Sequence, residues 1–409
     1  MNYRSALIKL AGATLIAQII SIAFIPVISR LYSPDDFAVF TFWASIGGLV
    51  GGVLSLKQEQ FLLSRPKNEW PPILARIFFT YKISVLIFLI AFAVYVPFSD
   101  GLYSGKLILA FFYCLSTSLI ISFSNIANIC AHFSSLAKAR IYMSFVLGSS
   151  QAGLGLLSDS QNALLIGAVG SQLTFLAFLY PKIRHILFQP EKSPPSRPSI
   201  NDVKKSMSSI VSSMTLSVAT SFPPVMLYSL GYQYEAGIVA MLQRFMLIPV
   251  TLLASPLSQT FISLLKNLGD NPLSKKFLVN AVLFSFSYYF LSYVVALAAG
   301  KLTLFSFILG AQWTEADVIA PSIVTIYTVL LIRNISTQYF VVTERQGSLM
   351  KIDIIFIISM LAGYALAKTQ NLGFSQYLLS LNLSYFIYMV TPVAYIAQSN
   401  RRPRKHSHE

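Results

Sequence analysis

Apolar runs of roughly twenty residues, parted by short polar breaks, recur along the whole chain. A hydrocarbon layer about 30 Å thick takes about twenty helical residues to cross. The pattern predicts twelve such segments, near 7–30, 38–57, 73–97, 106–130, 141–158, 162–181, 207–230, 236–264, 277–299, 316–343, 352–368 and 375–397. The first is too long for a signal-peptide core, and no small-residue cleavage site follows it. It is expected to break late at Pro26 and to end in Ser29-Arg30-Leu31-Tyr32. Ser33 as cap, Pro34 in the first turn and the acids Asp35 and Asp36 then restart a helix at once.

Composition narrows the class. Of 409 residues, 55% are hydrophobic and 11% charged, with mean hydropathy +0.65. Soluble domains carry about 25% charged residues, so the chain reads as an all-α polytopic membrane protein. Cys114 and Cys130 fall toward opposite ends of one predicted span, about 24 Å apart on a helix, too far for a disulfide.

The net charge of +15 raises nucleic acid as a partner, and its distribution removes the need for one. Twelve crossings put both termini on one face. That face holds twenty-three of the thirty Lys and Arg; the other has Arg30, Lys106, Lys301 and Lys368, and Lys82, Arg244 and Arg333 sit within spans. Such a bias places the termini in the cytoplasm. The longest connection, 182–206, is basic and carries Pro190, Pro194, Pro195 and Pro198. It divides the chain into six-helix bundles at 1–181 and 207–397, with a basic tail at 398–409. Pro26-Val27 and Pro224-Val225 are each followed, ten and eleven residues after the proline, by an acid (Asp36, Glu235) and a new helix. That match suggests a parallel repeat.

Candidate chemistry lies in the polar positions inside spans. Ser206, Ser209, Ser213, Ser217, Thr220 and Pro224 step by three and four along the seventh helix. Such a stripe reads equally as close helix packing or as a polar lumen wall. Arg244, Thr251, Ser255, Ser258 and Gln259 share a face of the eighth, with Pro249 and Pro256 disturbing its backbone. Ser322, Arg333, Thr337 and Glu344 share one on the tenth, where Thr314 and Asp317 form a candidate cap pair. The first helix offers Thr14, Gln18, Ser21 and Ser29; Arg30 lies about 100° around from that stripe, so only a break at Pro26 would swing it on. Gly47, Gly48, Gly51 and Gly52 read as a packing surface. Arg244 lies about 12 Å inside its helix. An arginine there faces a water-filled lumen and an anion, or a buried acid on another helix. Arg333 poses the same choice, and Lys82 is within snorkelling reach of the surface.

Absences also decide. No phosphate-cradling Gly-rich loop with Lys-Ser/Thr and no His-Glu-x-x-His occurs, and the four histidines are scattered. No catalytic residue, metal ligand or cofactor is assigned. The carboxylates Glu59, Glu344 and Asp353 fall at predicted helix ends, so no acid is expected deep in a span. Arginines without acids suit a polyanionic cargo better than a cationic drug, and Ser, Thr and Gln suit sugar hydroxyls.

Three stretches carry a resemblance: Leu10-Ala11-Gly12-Ala13-Thr14 with Gln18 and then Pro26 to Phe37; Lys57-Gln58-Glu59; and Gly310-Ala311-Gln312-Trp313-Thr314-Glu315-Ala316. Together with the twelve spans they resemble Wzx-type O-antigen flippases of the multidrug/oligosaccharidyl-lipid/polysaccharide (MOP) exporter superfamily. Gln58 and Asp317 stand where that family often has tyrosine and glycine. The resemblance implies a MATE-like fold of two six-helix bundles around a central cavity in the bacterial inner membrane. It implies transport of undecaprenyl-diphosphate-linked repeat units from the cytoplasmic to the periplasmic leaflet by alternating access. Arg30 and Arg244 would then meet diphosphate. Arg333, Lys82, Gln18, Ser217, Thr251, Ser255 and Gln259 complete the substrate-binding candidates, and Pro26, Pro224 and Pro249 are candidate helix-break or gating positions. The implied partners are the lipid-linked oligosaccharide, the bilayer, a polysaccharide polymerase and a chain-length regulator.

Alternatives are an exporter of another lipid-linked glycan (capsule, exopolysaccharide or enterobacterial common antigen) and a MATE-type small-molecule exporter, which calls for a coupling carboxylate deep in a helix. A glycosyltransferase or polymerase calls for a sizeable outer loop, whereas the longest here, Gly300 to Glu315, is short and half apolar. A purely structural scaffold leaves the intramembrane arginines without a role.

Overall fold

The computed structural model describes residues 3–55, 62, 70–95, 101–157, 162–187, 200–268, 272–342 and 345–399. Its regular elements are all helical: α1 (Tyr3–Leu31), α2 (Pro34–Val53), α3 (Trp70–Tyr95), α4 (Gly101–Ile129), α5 (Phe133–Leu157), α6 (Asn162–Leu187), α7 (Ile200–Ser229), α8 (Gln233–Leu268), α9 (Pro272–Lys301), a short α10 (Leu304–Leu309), a 3-10 turn (Ala311–Trp313), α11 (Ala316–Val342), α12 (Gln346–Gln370) and α13 (Phe374–Ser399). All but α10 and the 3-10 turn are long helices, one for each expected crossing. Eleven are long and apolar enough to span a membrane on their own composition. The other is α5, whose polar and small residues lower its hydropathy but admit close neighbours.

By contact the chain forms two compact units, Met1–Ala240 with Ile308–Gln312, and Met241–Phe307 with Trp313–Glu409. In the first, α5 packs on α1 and α6, and α2 packs on α4 and α7. Gly148 of α5 faces the Phe24 ring so closely that a methyl would overlap it. Gly47 and Gly51 of α2 lie against the backbone of Ala110 and Cys114 on α4, as the glycine spacing predicts. The apolar core joins Trp70, Ile73 and Ile77 of α3 to Phe123 of α4, Leu136 of α5, and Phe175, Leu179 and Ile183 of α6. In the second unit α11 packs on α9 and α13, and α12 on α13; Tyr327, Tyr377, Tyr385, Tyr388, Phe340 and Phe356 are fully buried there.

Pro26, Pro224 and Pro249 lie inside α1, α7 and α8, which run on as helix past them. A proline deletes one backbone hydrogen bond, whereas ending a helix in an apolar segment strands several polar groups at once. One local expectation is corrected. Asp317 does not pair with Thr314 as a side-chain cap of α11. Its carboxylate accepts from the backbone N–H groups of Phe305 (2.9 Å) and Ser306 (3.2 Å), capping α10.

Candidate functional site

The first unit has a rigid elbow where α1 turns into α2. Ser33 Oγ accepts from Asp36 N (3.2 Å), while the Asp36 carboxylate accepts from Ser33 N (3.0 Å) and Ser33 Oγ (2.7 Å). This is a complete capping box, with Pro34 opening α2 as its sequence predicts. Tyr32 is buried, donates its hydroxyl to the Gln151 carbonyl at 2.8 Å and meets Phe37 edge-on at 6.4 Å. Burial, then the neighbouring Asp36 carboxylate, push its phenol up to about 12, so it stays a neutral donor at physiological pH. Ser29, Pro34 and Phe37 are buried as well, whereas Arg30 is exposed. The elbow thus spends its neighbours on structure and leaves one guanidinium outward. Arg30 Nη1 donates to the Pro26 carbonyl (3.2 Å), as does Ser29 Oγ (3.3 Å).

Two other stretches of the first unit meet this elbow. Gln312 Nε2 donates to the carbonyls of Ser29 (2.6 Å) and Tyr32 (3.0 Å), and Tyr234 donates its hydroxyl to the Gln312 carbonyl (2.9 Å). Gly310, at φ +107°, lies against Arg30 Cγ, and Gly237 of α8 touches the backbone of Pro34. Gln312 stands inside the Gly310–Ala316 motif, yet spacing alone gave no sign that its amide serves α1.

The remaining sequence candidates are dispersed. Gln18 is half-buried on α1, and Thr14 on the same stripe accepts from Arg140 Nη1 of α5 at 3.1 Å. Ser217 is half-buried on α7, its hydroxyl near Gly52 of α2. Lys82 is exposed on the face of α3 that carries Phe79 and Leu86, both exposed; that apolar surround fits a snorkelling stem rather than a binding group. In the second unit Arg244 is half-buried, and Thr251 is exposed with its hydroxyl donating to the Ile248 carbonyl at 2.9 Å. The side chains of Ser255 and Gln259, and the whole of Lys57-Gln58-Glu59, lie outside the described residues.

Arg333 is a correction. Its Nη2 meets both oxygens of Asp353, at 2.7 and 2.9 Å, with side-chain exposures of 3% and 0%. Its Nε reaches the Tyr388 hydroxyl and its Nη1 the Thr337 hydroxyl. Tyr388 also donates to Asp353 at 3.0 Å and stacks on Phe356 at 4.0 Å. All three guanidinium nitrogens are thereby engaged within the second unit, in a side chain almost fully buried. The expectation that no acid lies deep in a span fails with it, because Asp353 is fully buried seven residues into the membrane-length stretch Gly347–Gln370. Periodicity placed Asp353 at a helix end because α12 begins six residues before the expected span.

No family profile matches the chain, and no curated protein is similar to it in sequence. Solved structures do match. An inward-facing multidrug resistance MATE family transporter of the MOP superfamily superposes with TM-score 0.60 at 12% identity, over 97% of this chain and 98% of that one. An outward-facing structure of such a transporter gives 0.61 at 10% identity, over 97% and 95%. A MATE protein in its bent conformation gives 0.56 at 10% identity, over 98% and 96%.

The fold is that of the MATE transporters. This MATE-like architecture is matched along almost the whole chain, so the expected fold class holds.

Proposed function

We propose that the chain is a flippase of the bacterial inner membrane, with both termini cytoplasmic. Its cargo is the undecaprenyl-diphosphate-linked O-antigen repeat unit, carried from the cytoplasmic to the periplasmic leaflet by alternating access. One contrast in charge carries the reading. Among the described residues, Asp353 is the acid lying more than one turn inside a helix, and Arg333 closes it off; Arg30, by contrast, is exposed on a rigid elbow. A cationic substrate needs an available carboxylate, whereas a diphosphate needs a guanidinium that water can reach.

The physical task is to move charges and hydroxyls past hydrocarbon that would strip their hydration. In this reading Arg30 and Arg244 meet the diphosphate, and Gln18, Thr251, Ser255 and Gln259 meet sugar hydroxyls. The lipid tail stays in the bilayer, and a polymerase with its chain-length regulator uses the delivered repeat unit. The second reading, a MATE-type small-molecule exporter, is favoured by the multidrug transporters that share the fold.

Proteoliposomes holding the full chain and a fluorescent undecaprenyl-diphosphate-linked saccharide separate the two. The flippase reading expects quencher-accessible fluorophore to equilibrate between leaflets, and Arg30→Ala and Arg244→Ala to abolish that exchange at unchanged protein level. Uptake of a cationic dye with no movement of the lipid would establish the exporter reading in its place.

A further inference from the structure

The first unit holds an arginine that its place in the sequence disguises. Arg140 falls just outside the expected fifth span, yet α5 begins at Phe133 and carries it about two turns into the helix. Its Nη1 donates to Thr14 Oγ1 of α1 at 3.1 Å, and Thr14 lies inside the membrane-length stretch Gly12–Leu31. The arginine is half-buried. Among the described residues that hydroxyl is its one hydrogen-bond partner, and no carboxylate pairs with it. A neutral hydroxyl does not offset the desolvation of a guanidinium, whereas a counter-charge does. Arg333 shows that solution in Asp353. Arg76 of α3 repeats the shortage: it flanks the core that joins Ile73 and Ile77 to Leu136 and Ala139, and its Nε is buried with no hydrogen-bond partner. What Arg140 has left to offer is specific. With Nη1 on Thr14, Nε and Nη2 form an adjacent pair of donors on one edge, the spacing that two oxygens of one phosphate accept.

We infer that Arg140, oriented by Thr14, is a phosphate site of the first unit: its Nε–Nη2 edge takes two oxygens of a lipid phosphate near the start of α5. That this lipid is the polyprenyl diphosphate cargo, captured in the leaflet where it is loaded, rests on the flippase reading. The phosphate chemistry itself does not.

The test is lipid binding to the full chain in detergent, read by native mass spectrometry. The probes are undecaprenyl diphosphate, undecaprenol (the same tail without phosphate) and phosphatidylglycerol, at equal concentration. Arg140→Ala is expected to weaken undecaprenyl diphosphate about tenfold, as for the loss of a charge-assisted contact, and to leave undecaprenol unchanged. Arg140→Lys keeps the charge but not the fork, so its loss falls between. Lys138→Ala removes an exposed charge from the same helix and changes neither. The unfolding midpoint without lipid separates a site from a structural arginine. Arg140→Ala holds or raises it, because a half-buried charge lacking a counter-charge is removed. Undiminished diphosphate binding by Arg140→Ala overturns the site, and so does an equal loss in Lys138→Ala, which would make the effect one of overall charge. Phosphatidylglycerol binding that depends equally on Arg140 upholds the site and assigns its phosphate to bulk lipid. Arg140-dependent binding with no leaflet exchange in the proteoliposomes upholds the site and fails the flippase reading; exchange with Arg140-independent binding does the reverse.

Discussion

Two arginines of this chain stand at the ends of the same physical choice. Arg30 closes an apolar helix and faces outward from an elbow whose other residues are committed to caps and packing. Arg333 lies within α11 and engages each of its three nitrogens with Tyr388, Thr337 or Asp353. Hydropathy sees both as expensive interruptions of an apolar run. What separates them is burial: α12 delivers Asp353 to an Arg333 guanidinium sealed inside the second unit, whereas Arg30 is exposed at the end of α1. A charge in a membrane-length segment is thus evidence of function only after its partners are counted.

Substitutions that break the closed cluster should have the largest effect. Asp353→Ala leaves a buried guanidinium without its counter-charge and is expected to cost about 3–5 kcal/mol, read as a lower unfolding midpoint in detergent. The paired change Arg333→Met with Asp353→Leu removes both charges and should return most of that loss. If Asp353→Ala unfolds like wild type, Arg333 is not dependent on its acid and the contrast with Arg30 dissolves. Next comes the elbow's scaffold. A methyl on Gly237 would begin 1.8 Å from the Pro34 carbonyl oxygen, so Gly237→Ala is expected to cost about 1–3 kcal/mol through overpacking. Asp317→Ala, which uncaps α10, should cost roughly 1 kcal/mol and shift hydrogen exchange at Phe305 and Ser306 in particular. The smallest stability effect belongs to Arg30→Ala, within about 0.5 kcal/mol as for an exposed residue. Its loss should appear in lipid exchange alone, the opposite profile to Asp353→Ala.

Much of this was legible in residue order. The twelve long helices follow from apolar run length, and the Ser33 capping box, the helix restart at Pro34 and the glycine face of α2 all use local rules that spacing exposes. What spacing could not show is which distant residue answers a local need. Asp353 and Tyr388 are 20 and 35 residues or more from their partners in the cluster, and Gln312 is 283 from Ser29. The helices run on past Pro26, Pro224 and Pro249 because leaving a helix inside an apolar segment has no hydrated alternative. Ser217 was ambiguous by nature, because a serine looks the same in sequence whether it faces a lumen or a glycine of the next helix.

The modest hydropathy of α5 has a bearing on biogenesis. Eleven helices can partition from the translocon into lipid by their own composition, and α5 is not among them. Its Gly148 receives Phe24 of α1, and its Gln151 amide donates to the Leu164 carbonyl of α6 at 2.9 Å. Entry of α5 into the bilayer therefore waits on company: α1, already inserted, offers a docking surface, and α6, strongly apolar, follows within a few residues to draw the pair in as a hairpin.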